Sequence, residues 1–225
     1  MRRLRYLFPV LVGLVVGVPA VASANDQQIL VDKSATALQS VLNEKGLEPA
    51  REYLKKARGV MIVPELVKAG LIVGGEGGNG VLVTKDSAGN WSNPAFYQFI
   101  AGSVGLQIGV ESKEVLFMVM TDDALDKLMR NEFRLGADAS ISVGPVGAGV
   151  GASSVGNAEA DIIAYSKSKG LFGGGAIEGG VIQPKADWNA AYYNAPAVTA
   201  ESIVLTRQHE NPGAAKLRQV LSAAD

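Results

Sequence analysis

WSNPAFYQFIAGSVGLQIGVESKEVLFMVMTDDALDKLMRNEFRLGADASISVGPVG, residues 91–147, decides how the rest of the chain is read. Apolar runs of strand length alternate here with glycines. Ala95–Ile100, Val104–Val110 and Val115–Met120 read as strands, and Ala139–Val143 as a further one. Val115–Met120 is apolar throughout, the pattern of a strand buried on both faces. One helix interrupts the series. Thr121 is its cap, Asp122 and Asp123 fill the first turn, and Ala124, Leu125, Leu128 and Met129 form its inner face.

Upstream, the same β pattern begins at Gly59. Val60–Val63, Leu71–Val73 and Val81–Thr84 read as strands, and Asp86-Ser87-Ala88-Gly89-Asn90 as a hairpin turn. Before Gly59 the period changes to that of helices. In Asp26–Lys45, Val31, Ala35, Leu38 and Leu42 share a stripe with Leu30, Ala37 and Val41, and Gly46 ends the run. Only Lys33 and Lys45 are basic, and no aromatic residue is present. The stripe is therefore expected to pack on the domain, not to lie on a membrane. Glu48–Arg58 reads as a second helix opened by Pro49. Arg51, Lys55 and Arg58 then fall on one helical face, with Lys56 beside them. Downstream, Asp161–Ser166 is a strand. Ala186–Tyr193, Ala200–Arg207 and Gly213–Ala223 are helices, punctuated by Pro196 and Pro212.

An internal repeat appears at a shift of 100 residues. KAGLIVGGEGGNGVL (68–82) matches SKGLFGGGAIEGGVI (168–182) at Gly70, Leu71, Gly74, Gly75, Gly80 and Val81. Two copies of one strand unit at equivalent places in a single sheet would explain it.

Composition narrows the class. Of 225 residues, 48% are hydrophobic and 19% charged, so the chain can build a core. Its 27 glycines sit inside apolar runs, where they signal bulges, turns and close backbone approach. Residues 1–24 read as a signal peptide: Arg2, Arg3 and Arg5, then apolar Leu7 to Val18, then Ala22-Ser23-Ala24 for cleavage. The apolar run is shorter than the roughly 20 residues of a membrane-spanning helix. With no cysteine there is neither a lipid-modified cysteine nor a disulfide. The mature chain keeps 18 Lys+Arg against 22 Asp+Glu, so no global charge draws it to nucleic acid. The expected location is the periplasm or the periphery of the envelope membrane.

Catalytic motifs find little footing. Gly75-Glu76-Gly77-Gly78-Asn79-Gly80 fits G-x-G-x-x-G, but VLVTK follows it as a strand, where a dinucleotide site needs a helix. A glycine-rich hairpin turn is the preferred reading. Gly147, Gly149 and Gly151 lack the Lys-Ser/Thr ending of a phosphate loop. No G-x-S-x-G occurs, and the single histidine, His209, lies in a polar segment between two expected helices. Asp122, Asp123 and Asp126 share a helix start without the spacing of a cation loop. We expect no catalytic residues, no metal and no cofactor.

The order of motifs resembles the SYLF-domain family. The matching pieces are KKARGVMIVPELVKAG (55–70), GGEGGNGVLV (74–83), WSNPAF (91–96), GSVGLQIGVE (102–111), LGADASISVGPVG (135–147), IIAYSKSKGLFGG (162–174), the Tyr192-Tyr193 pair and NPGAAKLRQVL (211–221). The resemblance implies a non-enzymatic domain that binds membrane lipids, phosphoinositides in eukaryotic members, some of which also bind and bundle actin. Two departures argue against phosphoinositides here. The first helix is nearly balanced in charge, and Ala148 stands where those members carry a basic residue after Gly-Pro-x-Gly. An exported protein also meets no actin.

The sequence thus leads to one α+β domain over 25–225. A curved, largely antiparallel, glycine-rich sheet (59–183), open or barrel-like, carries one inserted helix. Helices flank it at 25–58 and 184–225. The expected function is phospholipid binding in the bacterial cell envelope. Arg51, Lys55, Lys56 and Arg58 would meet headgroup phosphates, with Lys68 adjacent. The alternatives are an envelope module that binds other proteins through an exposed apolar patch, and a hydrolase whose polar groups converge only in the fold.

Overall fold

The computed structural model describes residues 24–70, 73–104, 109–130, 132–144, 160–167 and 179–225. The expected signal peptide lies outside them except for Ala24, which begins the first helix.

The chain is α+β. Two helices come first, α1 (Ala24–Leu42) and α2 (Pro49–Lys56). Four strands follow: β1 (Gly59–Gly70), β2 (Val73–Thr84), β3 (Ala95–Val104) and β4 (Gly109–Val119). Helix α3 (Asp122–Leu128) is inserted before β5 (Phe133–Arg134), β6 (Ile141–Val143), β7 (Ile162–Lys167) and β8 (Val181–Pro184). The chain closes on α4 (Ala186–Tyr193), α5 (Ala200–Val204), a 3-10 turn at Pro212–Ala214 and α6 (Ala215–Ala224). The strands form one curled half-barrel sheet in the order β5-β8-β3-β2-β1-β4-β7-β6. Among the described residues every strand pairing is antiparallel except β6 with β7.

Strand alternation gives the sheet two buried faces. On one, Val60, Ile62, Val81, Phe96 and Leu116 meet α1, α2 and α6. On the other, Met61, Val63, Leu82, Phe99 and Phe117 meet α3 and α5. Of the expected Val115–Met120 strand, Val115–Val119 touches both clusters and is at most 1% exposed, while Met120 lies just past the strand end and is partly buried. The α1 stripe is equally committed: Leu30, Val31, Ala35, Ala37, Leu38, Val41 and Leu42 are all buried against the sheet and α6.

β1 runs well past Val63, where the sequence suggested an end. Pro64 lies in a β-bulge, with one extra residue of β1 between Val63 and Leu66 opposite β4 and between Ile62 and Val67 opposite β2. A bulge is a place where a strand tolerates a residue that cannot donate a hydrogen bond. It also resets the alternation, so Met61, Val63 and Leu66 lie on the same face.

The glycine run 74–80 corrects the expected hairpin turn. It is strand, paired on one side with β1 and on the other with β3. A Cβ on Gly80 would stand 2.6 Å from the Ile62 carbonyl oxygen and 2.9 Å from Val63 Cγ2. One on Gly78 would stand 2.6 Å from the Glu65 oxygen. These two glycines let the bulged strand come close.

The repeat does not reappear as two equivalent hairpins. In the first copy Ile62 pairs with Val81. The counterpart strands β7 and β8 are separated by β4, β1, β2 and β3. Residues 168–178 of the second copy lie outside the described residues.

Local signals elsewhere hold. Thr121 Oγ1 accepts from the Ala124 amide and caps α3. Gly89 takes φ +84° in the 86–90 turn, where Asp86 accepts from the Ala88 and Asn90 amides. α4 is pinned to β3 by Asn189, which accepts from the Phe96 amide at 2.8 Å. Tyr97, fully buried, donates to the Leu128 carbonyl at the end of α3.

Asp161 joins three segments. Its carboxylate accepts from the Ser140 hydroxyl (2.7 Å), the Ser140 amide (2.9 Å) and Thr121 Oγ1 (2.9 Å). The Ser140 hydroxyl bond, followed by the amide bond, holds this carboxyl below the ordinary aspartate range. A depressed folded-state pKa gives stability that is complete above the unfolded value of about 3.9 and is lost as pH falls through the folded value. Asp161→Ala is therefore expected to lose about 1 kcal/mol at pH 7 and less at pH 3. Urea midpoints at the two pH values check this, and an equal loss at both would rule out the linkage.

Candidate functional site

The expected basic patch begins on α2. Pro49 opens this helix, Ala50 and Leu54 bury its inner side, and Lys55 and Lys56 stand in its last turn, where cations suit the dipole. Ala57 leaves the helix in an extended conformation (φ −68°, ψ 142°). Arg58 therefore does not share the helical face of Arg51 and Lys55. Its amide donates to the Val119 carbonyl, and its guanidinium pairs with Asp122 at 3.1 Å.

The four residues differ in freedom. Arg51 is turned inward: Nε donates to the Leu42 carbonyl (3.2 Å) and Nη2 to Asn43 Oδ1 (2.5 Å). It satisfies a carbonyl at the C-terminal end of α1, which the helix itself leaves unpaired. Lys55 is exposed and only loosely paired with Glu52, at 3.5 Å. Lys56 is exposed at the same helix end. Behind them Lys85 donates to the Lys55 carbonyl and pairs with Asp225 at 2.7 Å. The structure thus presents Lys55, Lys56 and Arg58 outward and employs Arg51 within the fold. Surface pairs such as Arg58–Asp122 contribute about 0–1 kcal/mol and exchange readily with other anions.

Lys68 is not adjacent to this patch. It lies nine residues beyond Gly59 on β1, about 30 Å away at the rise of a strand. Its partner is Glu76, opposite it on β2 and 3.5 Å from the Lys68 ammonium. The Glu76 side chain is fully buried, and its other oxygen pairs with Lys113 of β4 at 3.0 Å. A carboxylate thus stands between two ammonium groups across three strands. Sequence reading passed over Glu76 as one residue of a glycine motif. Only the strand register, which brings Lys113 37 positions away to its side, reveals the cluster.

A shallow groove follows α1 on the opposite face of the sheet. Two connected hollows, about 370 and 400 Å³, share Ile29, Lys33, Pro64 and Glu65. The Lys33–Glu65 pair, 3.0 Å long and half exposed, stands where they join. One hollow continues over Val67 and Gly77 to Trp188. Among the described residues, the exposed large apolar side chains are Ile29 and Ile100. Ile100 is the β3 partner of Gly77, which lines that hollow. Lys185 lies over the Trp188 ring, 4.4 Å from its centroid.

Among the described residues no helix is long and apolar enough to cross a membrane, which leaves spanning strands unaddressed. No group of three or more His, Asp or Glu side chains among them is placed to hold a metal ion.

Residues 100–224 match the profile of the Ysc84 family, described as Las17-binding protein actin regulator. The chain is similar to LAS seventeen-binding protein 3 of Saccharomyces cerevisiae, 33% identical over 175 residues, covering 76% of this chain and 38% of that protein. It is 32% identical to Protein YSC84 of the same yeast over 173 residues, 76% of this chain and 36% of that protein. It is 28% identical to human SH3 domain-containing YSC84-like protein 1 over 141 residues, 62% of this chain and 41% of that one. The match thus spans well under half the length of these relatives.

Proposed function

The chain belongs to the Ysc84, or SYLF-domain, family, and from that premise we propose that it is a non-enzymatic phospholipid-binding protein of the bacterial cell envelope. The observation that carries the proposal is the end of α2. Lys55, Lys56 and Arg58 are exposed together there, and the anions beside them are surface carboxylates that a lipid phosphate can replace. The N-terminal sequence, with three arginines, an apolar stretch and Ala22-Ser23-Ala24, supports export.

Near an anionic bilayer each basic side chain contributes about 1 kcal/mol. The purified protein is expected to co-sediment with phosphatidylglycerol vesicles at low salt and to be released as salt rises. Changing Lys55, Lys56 and Arg58 together to alanine should weaken binding on the order of 100-fold. Arg51 is left intact because it caps α1. Failure of the wild-type protein to sediment, or sedimentation unchanged in the triple variant, would refute this reading.

The names of the relatives describe a protein partner and actin regulation, which favours a second reading as an envelope protein-interaction module. That reading predicts capture of envelope proteins by a chain with no affinity for vesicles.

A further inference from the structure

The glycines of the central strands fall into two groups, and crowding explains only one. Gly78 and Gly80 have no room for a side chain because β1 bulges against them. Gly75, Gly77 and Gly102 are different. A Cβ on Gly75 would meet its nearest atom at 3.6 Å, one on Gly77 at 3.7 Å, and one on Gly102 nothing within 4 Å.

Register and alternation put these three on the α1 face. Gly77 pairs with Val67 and Ile100, and Gly75 pairs with Gly102. Gly75 and Gly102 are solvent-exposed. The sheet therefore runs out past the start of α1 as a smooth strip of bare backbone. Ile29 stands 42% exposed beside the strip and Ile100 46% exposed on it. Glycine that no neighbour demands, in the interior of a strand, fits a surface on which another molecule lies close to the backbone.

The rim says what kind of molecule. At one end Trp188 lies half-buried under Lys185. Along one side stand Lys33 and Glu65, with Asp26 in the same hollow. Cations and carboxylates are thus interspersed around an apolar floor. That arrangement complements a group carrying both a phosphate and an amine, with a hydrocarbon chain attached. The apolar surface is narrow. Two isoleucines, Val67 and part of one indole fall short of the roughly 800 Å² per partner that a stable protein pair buries. Hollows of this size are in the range of small-ligand sites.

We propose that this groove holds one zwitterionic membrane phospholipid, its acyl chain laid along the glycine strip between Ile29 and Ile100 and its headgroup at Lys33, Glu65 and Asp26. The site rests on the lipid-binding reading but is separate from the basic end of α2. Lipid held here is selected by chain and mixed charge, so its uptake resists salt. Attraction at Lys55, Lys56 and Arg58 does not.

Two readouts test the site on the full chain. The protein has two tryptophans, Trp91 and Trp188, and Trp91 is 4% exposed in the core. In a Trp91→Phe background, vesicles of phosphatidylcholine brominated on the acyl chains are expected to quench Trp188 fluorescence by half or more, at low and at high salt. Native mass spectrometry after exposure to phosphatidylethanolamine vesicles should show one lipid per chain. Ile29→Glu and Ile100→Glu, both at exposed positions that leave the fold intact, should remove the quenching and the adduct. The Lys55, Lys56 and Arg58 alanine variant should keep both. Phosphatidylglycerol sedimentation without quenching or adduct would overturn the groove and leave the lipid-binding reading standing. An adduct that survives Ile29→Glu, or a dimer that depends on Ile29 and Ile100, would also overturn it. Absence of every vesicle interaction would remove both.

Discussion

Glu76→Ala is expected to cost about 3–5 kcal/mol of folding stability, a large part of the roughly 5–15 kcal/mol a domain of this kind possesses. The Glu76 carboxylate is fully buried between Lys113, itself 8% exposed, and Lys68. Removing the anion leaves two ammonium groups unpaired side by side on the adjacent strands β1 and β4, in a place where water cannot solvate them well. The charge that remains, more than the attraction that is lost, makes the change severe. A second variant separates these terms. Replacing all three residues together, Lys68→Met, Glu76→Leu and Lys113→Met, removes every charge at similar volume, and its stability should return to near the wild-type value or exceed it. Urea denaturation of both variants measures the two quantities. If Glu76→Ala unfolds within 1 kcal/mol of wild type, the buried cluster has been misread.

Gly80→Val is expected to lower stability by about 3 kcal/mol, the upper end of ordinary overpacking. Its Cβ would be forced to 2.6 Å from the Ile62 carbonyl oxygen, which is held in the β1–β2 ladder and cannot turn aside as a flexible side chain could. Gly102→Val is the matched control in the neighbouring strand. Its Cβ meets nothing, and valine suits an extended backbone. Melting temperature reports the contrast. For a chain of this size about 3 kcal/mol corresponds to a fall of roughly 6–12 °C, against no fall for Gly102→Val. Equal falls in the two variants would mean that the bulge does not set the demand for glycine at position 80.

These two cases also show what the chain discloses along its length and what it conceals. The α1 stripe, the Thr121 cap, the 86–90 turn and the buried Val115–Val119 strand are written in spacings of a few residues, and each appears where its pattern indicates. The strand character of 74–80 is not local. Glycine there reads as a turn until Pro64 and Glu65 are seen to bulge against it from another strand. The Glu76–Lys113 pair is hidden for the same reason. The basic patch is an intermediate case. Its residues were visible, but Ala57 leaving the helix separated Arg58 from Arg51, and the end of α1 claimed Arg51 for itself. Lys68 carried the right charge at the wrong distance, because a strand moves a residue away faster than a helix does.

The burial of α1 has a thermodynamic consequence for membrane attachment. Five large side chains of its stripe, Leu30, Val31, Leu38, Val41 and Leu42, are at most 7% exposed. Swinging that helix free of the sheet, ahead of any insertion into a bilayer, would return them to water at about 10 kcal/mol in total. That approaches the whole free energy of folding, so the detached conformer is populated less than about once in a million molecules. First contact with a lipid is therefore made by parts of the surface that the native state already displays.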